Sequence, residues 1–183
     1  MIKTKEDLKS CLKYEKGKYR LSKFYFLSSL FGVSERALIW KYQKRLRKWE
    51  YHLNNNHKLR TLFCAFFTKK LGLKLGFLIN PNCFDVGLKI MHIGSITINA
   101  NSRIGKDCSI HINTALVATG GNSDSPTVGD KCVFGIGSIL IGGIHLGNEV
   151  AVGAGAVVTK SFDEDHITIA GVPAKIVSHK AII

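Results

Sequence analysis

Long apolar runs are missing from this sequence. The longest, Phe24 to Val33, reaches about half of a bilayer span. The opening from Met1 to Ser10 mixes charges where a secretory signal needs an apolar stretch, so a soluble, cytoplasmic protein is expected. Paired cysteines are missing too. The five, at positions 11, 64, 83, 108 and 132, form no C-x-x-C pair and no Cys/His spacing of the zinc type, so neither a disulfide framework nor a structural metal is indicated. With 183 residues the chain has room for one main domain and an appendage.

Acidic residues are scarce, 13 against 26 Lys and Arg, for a formal charge of +13. The shortage is local: residues 1–76 hold 19 basic and 5 acidic side chains, residues 77–183 hold 7 and 8. No recognised nucleic-acid motif accompanies the basic part, so nucleic acid is not an expected partner.

What the chain does have is a repeat of six. Stepping from Ile98 gives Ile104, Ile110, Leu116, Asn122, Val128, Phe134, Leu140, Leu146, Val152 and Val158, all large and apolar except Asn122. The next slot is glycine at 105, 129, 135, 147 and 153, and the slot four after the frame is small at Ser102, Cys108, Thr114, Cys132, Ser138 and Ala156. Neither an amphipathic helix nor an alternating strand has this period. It fits a coil of short strands with one bulky residue per side turned inward, small residues near the corners, and glycine tolerating the φ values of sharp turns. Three sides make an 18-residue coil, which predicts stacks of Ile110, Val128 and Leu146 and of Leu116, Phe134 and Val152. Cys108 and Cys132 are then packing residues. The segment Ala118–Thr127 holds the failed frame position and leaves the coil as a loop.

Residues 1–76 read as a basic helical region, 77–178 as the β-helix and 179–183 as a tail. From Ser34, a plausible N-cap, the residues Ile39, Tyr42, Leu46, Trp49 and Leu53 make an apolar helical stripe ending at Asn54-Asn55-Asn56. Lys41, Lys44, Arg45 and Lys48 line another face, and a second helix runs from about Leu59 to Leu71. These helices dock on the coil with their lysines in water, or they offer a basic, aromatic-rich contact surface to an anionic membrane or acidic glycan.

His92-Ile-Gly-Ser-Ile-Thr-Ile-Asn99, the repeats from Ile104 to Val158 and the ending Ala170-Gly-Val-Pro-Ala-Lys-Ile-Val177 resemble the hexapeptide-repeat acyltransferases. The likeness is to the serine acetyltransferase branch, and especially to its relatives in bacterial capsule and surface-polysaccharide pathways. The resemblance implies a mainly β fold, a left-handed parallel β-helix, in a homotrimer that binds acetyl-CoA and an acceptor in clefts between subunits. It also implies direct O-acetyl transfer, with a histidine as general base and backbone N–H groups stabilising the oxyanion.

Position by position, the resemblance puts the general base on His92, with His111, nineteen residues on, as the rival. Met91 stands where serine acetyltransferases carry a carboxylate, which leaves Asp85 as the candidate to orient the imidazole. The six-residue frame extended back from Ile98 lands on His92 in an inward slot. The acceptor loop is represented by Asn122, Asp124 and Ser125, where a second active-site histidine of serine acetyltransferases is replaced. Gly137, Ala154 and Lys160 fall along the pantetheine groove, and Pro173 and Lys175 near the nucleotide end of acetyl-CoA. The reading from sequence is acetyl transfer to a saccharide hydroxyl, with serine O-acetylation as the enzymatic rival and a non-enzymatic scaffold as the rival of another class. A γ-type carbonic anhydrase is set aside because Val150 stands where a third metal-ligating histidine is needed after His111 and His145.

Overall fold

The structure, a computed structural model, describes residues 1–21, 24–32, 34–120 and 123–181. Four helices come first: α1 (Lys5–Gly17), α2 (Tyr25–Leu30), α3 (Glu35–Asn54) and α4 (Lys58–Leu75). The chain then winds into a triangular parallel β-helix. Its first face holds β1 (Phe77–Ile79), β3 (Ile96–Ile98), β6 (Thr114–Val117), β9 (Ile139–Ile141) and β12 (Val157–Val158). The second holds β4 (Arg103–Ile104), β7 (Thr127–Val128) and β10 (His145–Leu146). The third holds β2 (Lys89–Ile90), β5 (Ser109–Ile110), β8 (Val133–Phe134), β11 (Ala151–Val152) and β13 (Thr168–Ala170), closed by antiparallel β14 (Lys175–Ser178).

The ten apolar frame residues from Ile98 to Val158 point inward as expected, and the small slot is buried at Ser102, Cys108, Thr114, Cys132, Ser138 and Ala156. The Cys132 sulfur against it, together with burial, pushes the Cys108 thiol up, consistent with packing rather than reactivity.

Two expectations about the coil need correction. Ile110 pairs with Phe134 and Leu116 with Leu140, while Val128 sits over Ile104. The loop before β7 absorbs a whole side of the triangle, so stacking distance across it grows from 18 residues to 24. Beyond the loop, Val128 with Leu146 and Phe134 with Val152 stack as expected. The frame-following glycines serve close approach rather than turning. A Cβ on Gly129 would lie 2.7 Å from the Gly147 carbonyl oxygen, and one on Gly135 2.7 Å from that of Val152. The left-handed backbone falls two slots later, at Asp107, Asn113, Lys131, Gly137, Glu149 and Gly155.

A coil needs a cap, because its first turn has no preceding turn to satisfy the backbone. Here α1, Tyr19 just past it and α3 supply it with side chains. Arg47 donates to the carbonyls of Phe84 (2.8 Å) and Asp85 (2.7 Å), and Gln43 to that of Leu88 (2.8 Å). In return Glu15 accepts from Gly87 N–H (2.9 Å), Glu50 from Asn82 N–H (2.9 Å) and Tyr19 from Ile90 N–H (3.0 Å). One cation serves two acids: Arg47 pairs with Glu15 at 2.7 Å and Glu50 at 2.8 Å, all three buried, and burial raises the Glu50 pKa. The α3 stripe continues the apolar core into the coil, with the Tyr42 ring edge-on to Phe77 at 5.0 Å.

The helix signals read from sequence hold except at Leu53, which the last turn of α3 leaves exposed instead of in the buried stripe. Ser34 caps α3 through Ala37 N–H, and Asn54 to Asn56 end it. The helical region expected over residues 1–76 begins with α1. Its signature is a capping box in which Thr4 accepts from Asp7 N–H and Asp7 from Thr4 N–H.

Candidate active site

His92 lies just past β2, at the corner where the chain leaves the third face for the first. Ile90 and Ile98 are the frame residues on either side, paired with Ile110 and Leu116, and they are eight positions apart instead of six, with Ile96 buried as well. The two extra residues change the register, so His92 is not inward, as the extended frame implied, but carried outside with its side chain 55% exposed.

Its partner comes from the helical region. Glu35, the first residue of α3, accepts from Ile93 N–H with one oxygen (2.8 Å) and faces His92 Nδ1 with the other (3.3 Å). Asp85, the residue expected to orient the imidazole, lies at the corner between the second and third faces. There its carboxylate accepts from Val86 N–H (2.8 Å) and lies 3.9 Å from the N-terminal amine. Sequence reasoning missed Glu35 because it is remote from His92 in the chain. One signal was present: it is the sole carboxylate between Glu15 and Glu50.

His111 follows β5 one coil above, its ring 6.3 Å from that of His92. Burial, then the charges of His92 and Lys89, lower its pKa below the usual histidine value. Its Nδ1 is buried without a hydrogen-bond partner among the described residues. The cleft beside His92, about 660 Å³, is lined by Glu35 and His92 together with Lys18, Arg20, Arg36 and Lys89 but not by His111, an electropositive setting. Lys18 is already paired with Asp107 at 2.6 Å.

The same corner rises past three of the five residues placed at acetyl-CoA. Gly137 N–H donates to Ile112 O (3.0 Å), Gly155 N–H to Ile136 O (2.8 Å) and Val157 N–H to Gly171 O (3.0 Å). Gly137, Ala154 and the cis Val172-Pro173 turn therefore stand in one column above the two histidines. It is an open column: a Cβ on Gly137 would meet nothing nearer than 3.8 Å, and one on Gly155 nothing within 4 Å. Lys160 lies at another corner, over the Phe162 ring at 5.4 Å, and Lys175 is exposed on β14.

The loop residues are not brought to His92 within one chain. Asp124 and Ser125 sit at the corner between the first and second faces, and Ser125 is buried, donating to Ser123 O (3.2 Å). Asn122 lies outside the described residues.

The three-faced coil is the left-handed β-helix of serine acetyltransferase structures. A structure of the Brucella abortus enzyme superposes with a TM-score of 0.76 at 21% identity, covering 97% of this chain and 72% of that one. One titled as a complex with CoA gives 0.71 at 22% identity, covering 94% and 70%. In sequence, the chain is 36% identical over 104 residues to the serine acetyltransferase of Buchnera aphidicola from Acyrthosiphon pisum, which covers 55% of this chain and 38% of the relative. It is 28% identical over 153 residues to that of Synechococcus elongatus, covering 82% and 57%. The chain thus spans about half the length of these curated relatives. No protein-family model matches it. These relatives give no support to a nearer kinship with capsule enzymes.

Proposed function

We propose that this chain is an acetyl-CoA-dependent O-acetyltransferase whose general base is His92, positioned by Glu35, and whose acceptor is the hydroxyl of L-serine. The observation that carries the chemistry is the Glu35–His92 contact at the foot of an open, small-residue corner. With the carboxylate on Nδ1–H, the tautomer is set and Nε2 keeps its lone pair to accept the hydroxyl proton. Acetyl-CoA, when bound, supplies an activated thioester carbonyl. Gly137, Ala154 and Pro173 would hold its arm, because small residues let the arm reach backbone groups. Arg20, Arg36 and Lys89 give the cleft a positive potential suited to the carboxylate of an amino acid or the phosphates of the co-substrate.

A homotrimer completes this reading. Neighbouring copies would bring the loop of Asp124 and Ser125, at one corner of the triangle, to the His92 corner of the next chain. Serine as acceptor rests on the names of the relatives. A saccharide acceptor, the reading from sequence, has in its favour the replacement of a histidine in the loop at Asp124 and Ser125, Met91 in place of a carboxylate and the basic N-terminal half, and no relative behind it. Incubation with acetyl-CoA and either L-serine or saccharides bearing free hydroxyls, followed by mass spectrometry of the products, decides between them. O-Acetylserine is the expected product. Acetylated sugar with unreacted serine would overturn the acceptor assignment and leave the His92 chemistry standing.

A further inference from the structure

The outer side of α4 is apolar where a surface helix is ordinarily polar. Its inner face, marked by Thr68, Gly72 and Leu75, packs against the rest of the protein. On the opposite face Leu59, Leu62, Phe63, Phe66 and Leu73 recur at helical spacing and are 59% to 84% exposed. The helix carries Lys58, Arg60, Lys69, Lys70 and Lys74 and no acidic residue, and all five cations are exposed beside the stripe. Next to it, a cleft of about 530 Å³ between α3 and α4 is lined by Arg45, Lys48, His52, Arg60, Phe63 and Phe67, again without a carboxylate among the described residues. The Arg45 guanidinium lies over the Phe67 ring at 5.7 Å and donates to Phe67 O, which fixes one wall.

We infer that this face is a docking surface for an anionic phospholipid bilayer, with the α4 stripe entering the acyl boundary and Arg45, Lys48 and Arg60 receiving lipid phosphates. An apolar stripe flanked by cations is the pattern of a helix lying in a membrane interface. A second copy of the chain fits the charge less well, because pairing α4 with itself sets five cations against five. No helix among the described residues is long and apolar enough to cross a membrane, so the contact is peripheral. The inference stands apart from the acetyl-transfer chemistry, which uses another face.

Co-sedimentation tests it with vesicles of phosphatidylcholine alone or mixed with phosphatidylglycerol, at low and high salt. The wild type is expected in the pellet with the anionic vesicles only, and less so at high salt. Leu62→Ser/Phe66→Ser and Lys48→Glu/Arg60→Glu should each release it while circular dichroism stays native, the charge variant by at least about fivefold per cation removed. Reversal of Lys9 and Lys13, exposed on α1, changes net charge equally and should leave most of the binding. Three results would overturn the inference: no anionic-vesicle binding by the wild type, equal loss in the Lys9/Lys13 variant, or a change of oligomeric mass instead of vesicle binding in the Leu62/Phe66 variant.

Discussion

Glu35 is one of only five acidic residues in the first 76, and each of the other four also has a structural place. Asp7 closes the capping box, Glu6 lies in the first turn of α1, and Glu15 and Glu50 flank Arg47. Acid is placed in this half only where a cation, a helix start or an imidazole needs it. Glu35→Gln keeps an acceptor for Ile93 N–H but weakens control of the His92 tautomer. It should lower kcat at least about tenfold with little change in KM, and steady-state kinetics check that split. His111 makes a separate prediction. Its pKa is lowered in the folded chain, so below about pH 6.5 the unfolded state takes up the proton first, and stability falls as pH falls. Urea midpoints between pH 7.5 and pH 5 should drop less for His111→Gln than for the wild type.

Among the elements, α3 has two tasks: it caps the coil and it delivers Glu35. Arg47→Met leaves Glu15 and Glu50 buried without their cation and strips two coil carbonyls of a donor. The expected loss is about 3–5 kcal/mol, read from urea unfolding. In the coil, Gly129→Ala drives a methyl into the next turn and should cost about 1–3 kcal/mol. A cost near zero would mean the coils can part locally.

The coil was legible because one inward residue in six repeats from Ile98 to Val158, and Asn122 alone marked where it opens. What the sequence hid was how much chain each irregular corner absorbs. The loop before β7 takes a full side, which shifts the partners of Ile110 and Leu116, and the corner after Ile90 takes two residues, which turns His92 outward. Local composition does not encode such insertions; only strand pairing reveals them. The glycine slot was visible but its reason was not, since close approach to the next coil exists only once the coils stack.

Across the whole molecule, the division of charge matches a division of labour. The nearly neutral coil carries the small-residue corner above His92, and the basic helices cap it, supply its carboxylate and present the apolar face of α4. The candidate site was half legible for the same reason. Gly137 and Ala154 sit in the repeat and share a corner with His92, which stands at the irregular turn before it, whereas Glu35 reaches that corner only through the docking of α3. The most direct test of the account is thiol release from acetyl-CoA in the presence of L-serine by the wild type and by His92→Ala. Turnover by the wild type and a loss of about 10²- to 10⁴-fold in a folded His92→Ala variant is the predicted result. Equal rates in the two proteins would contradict it.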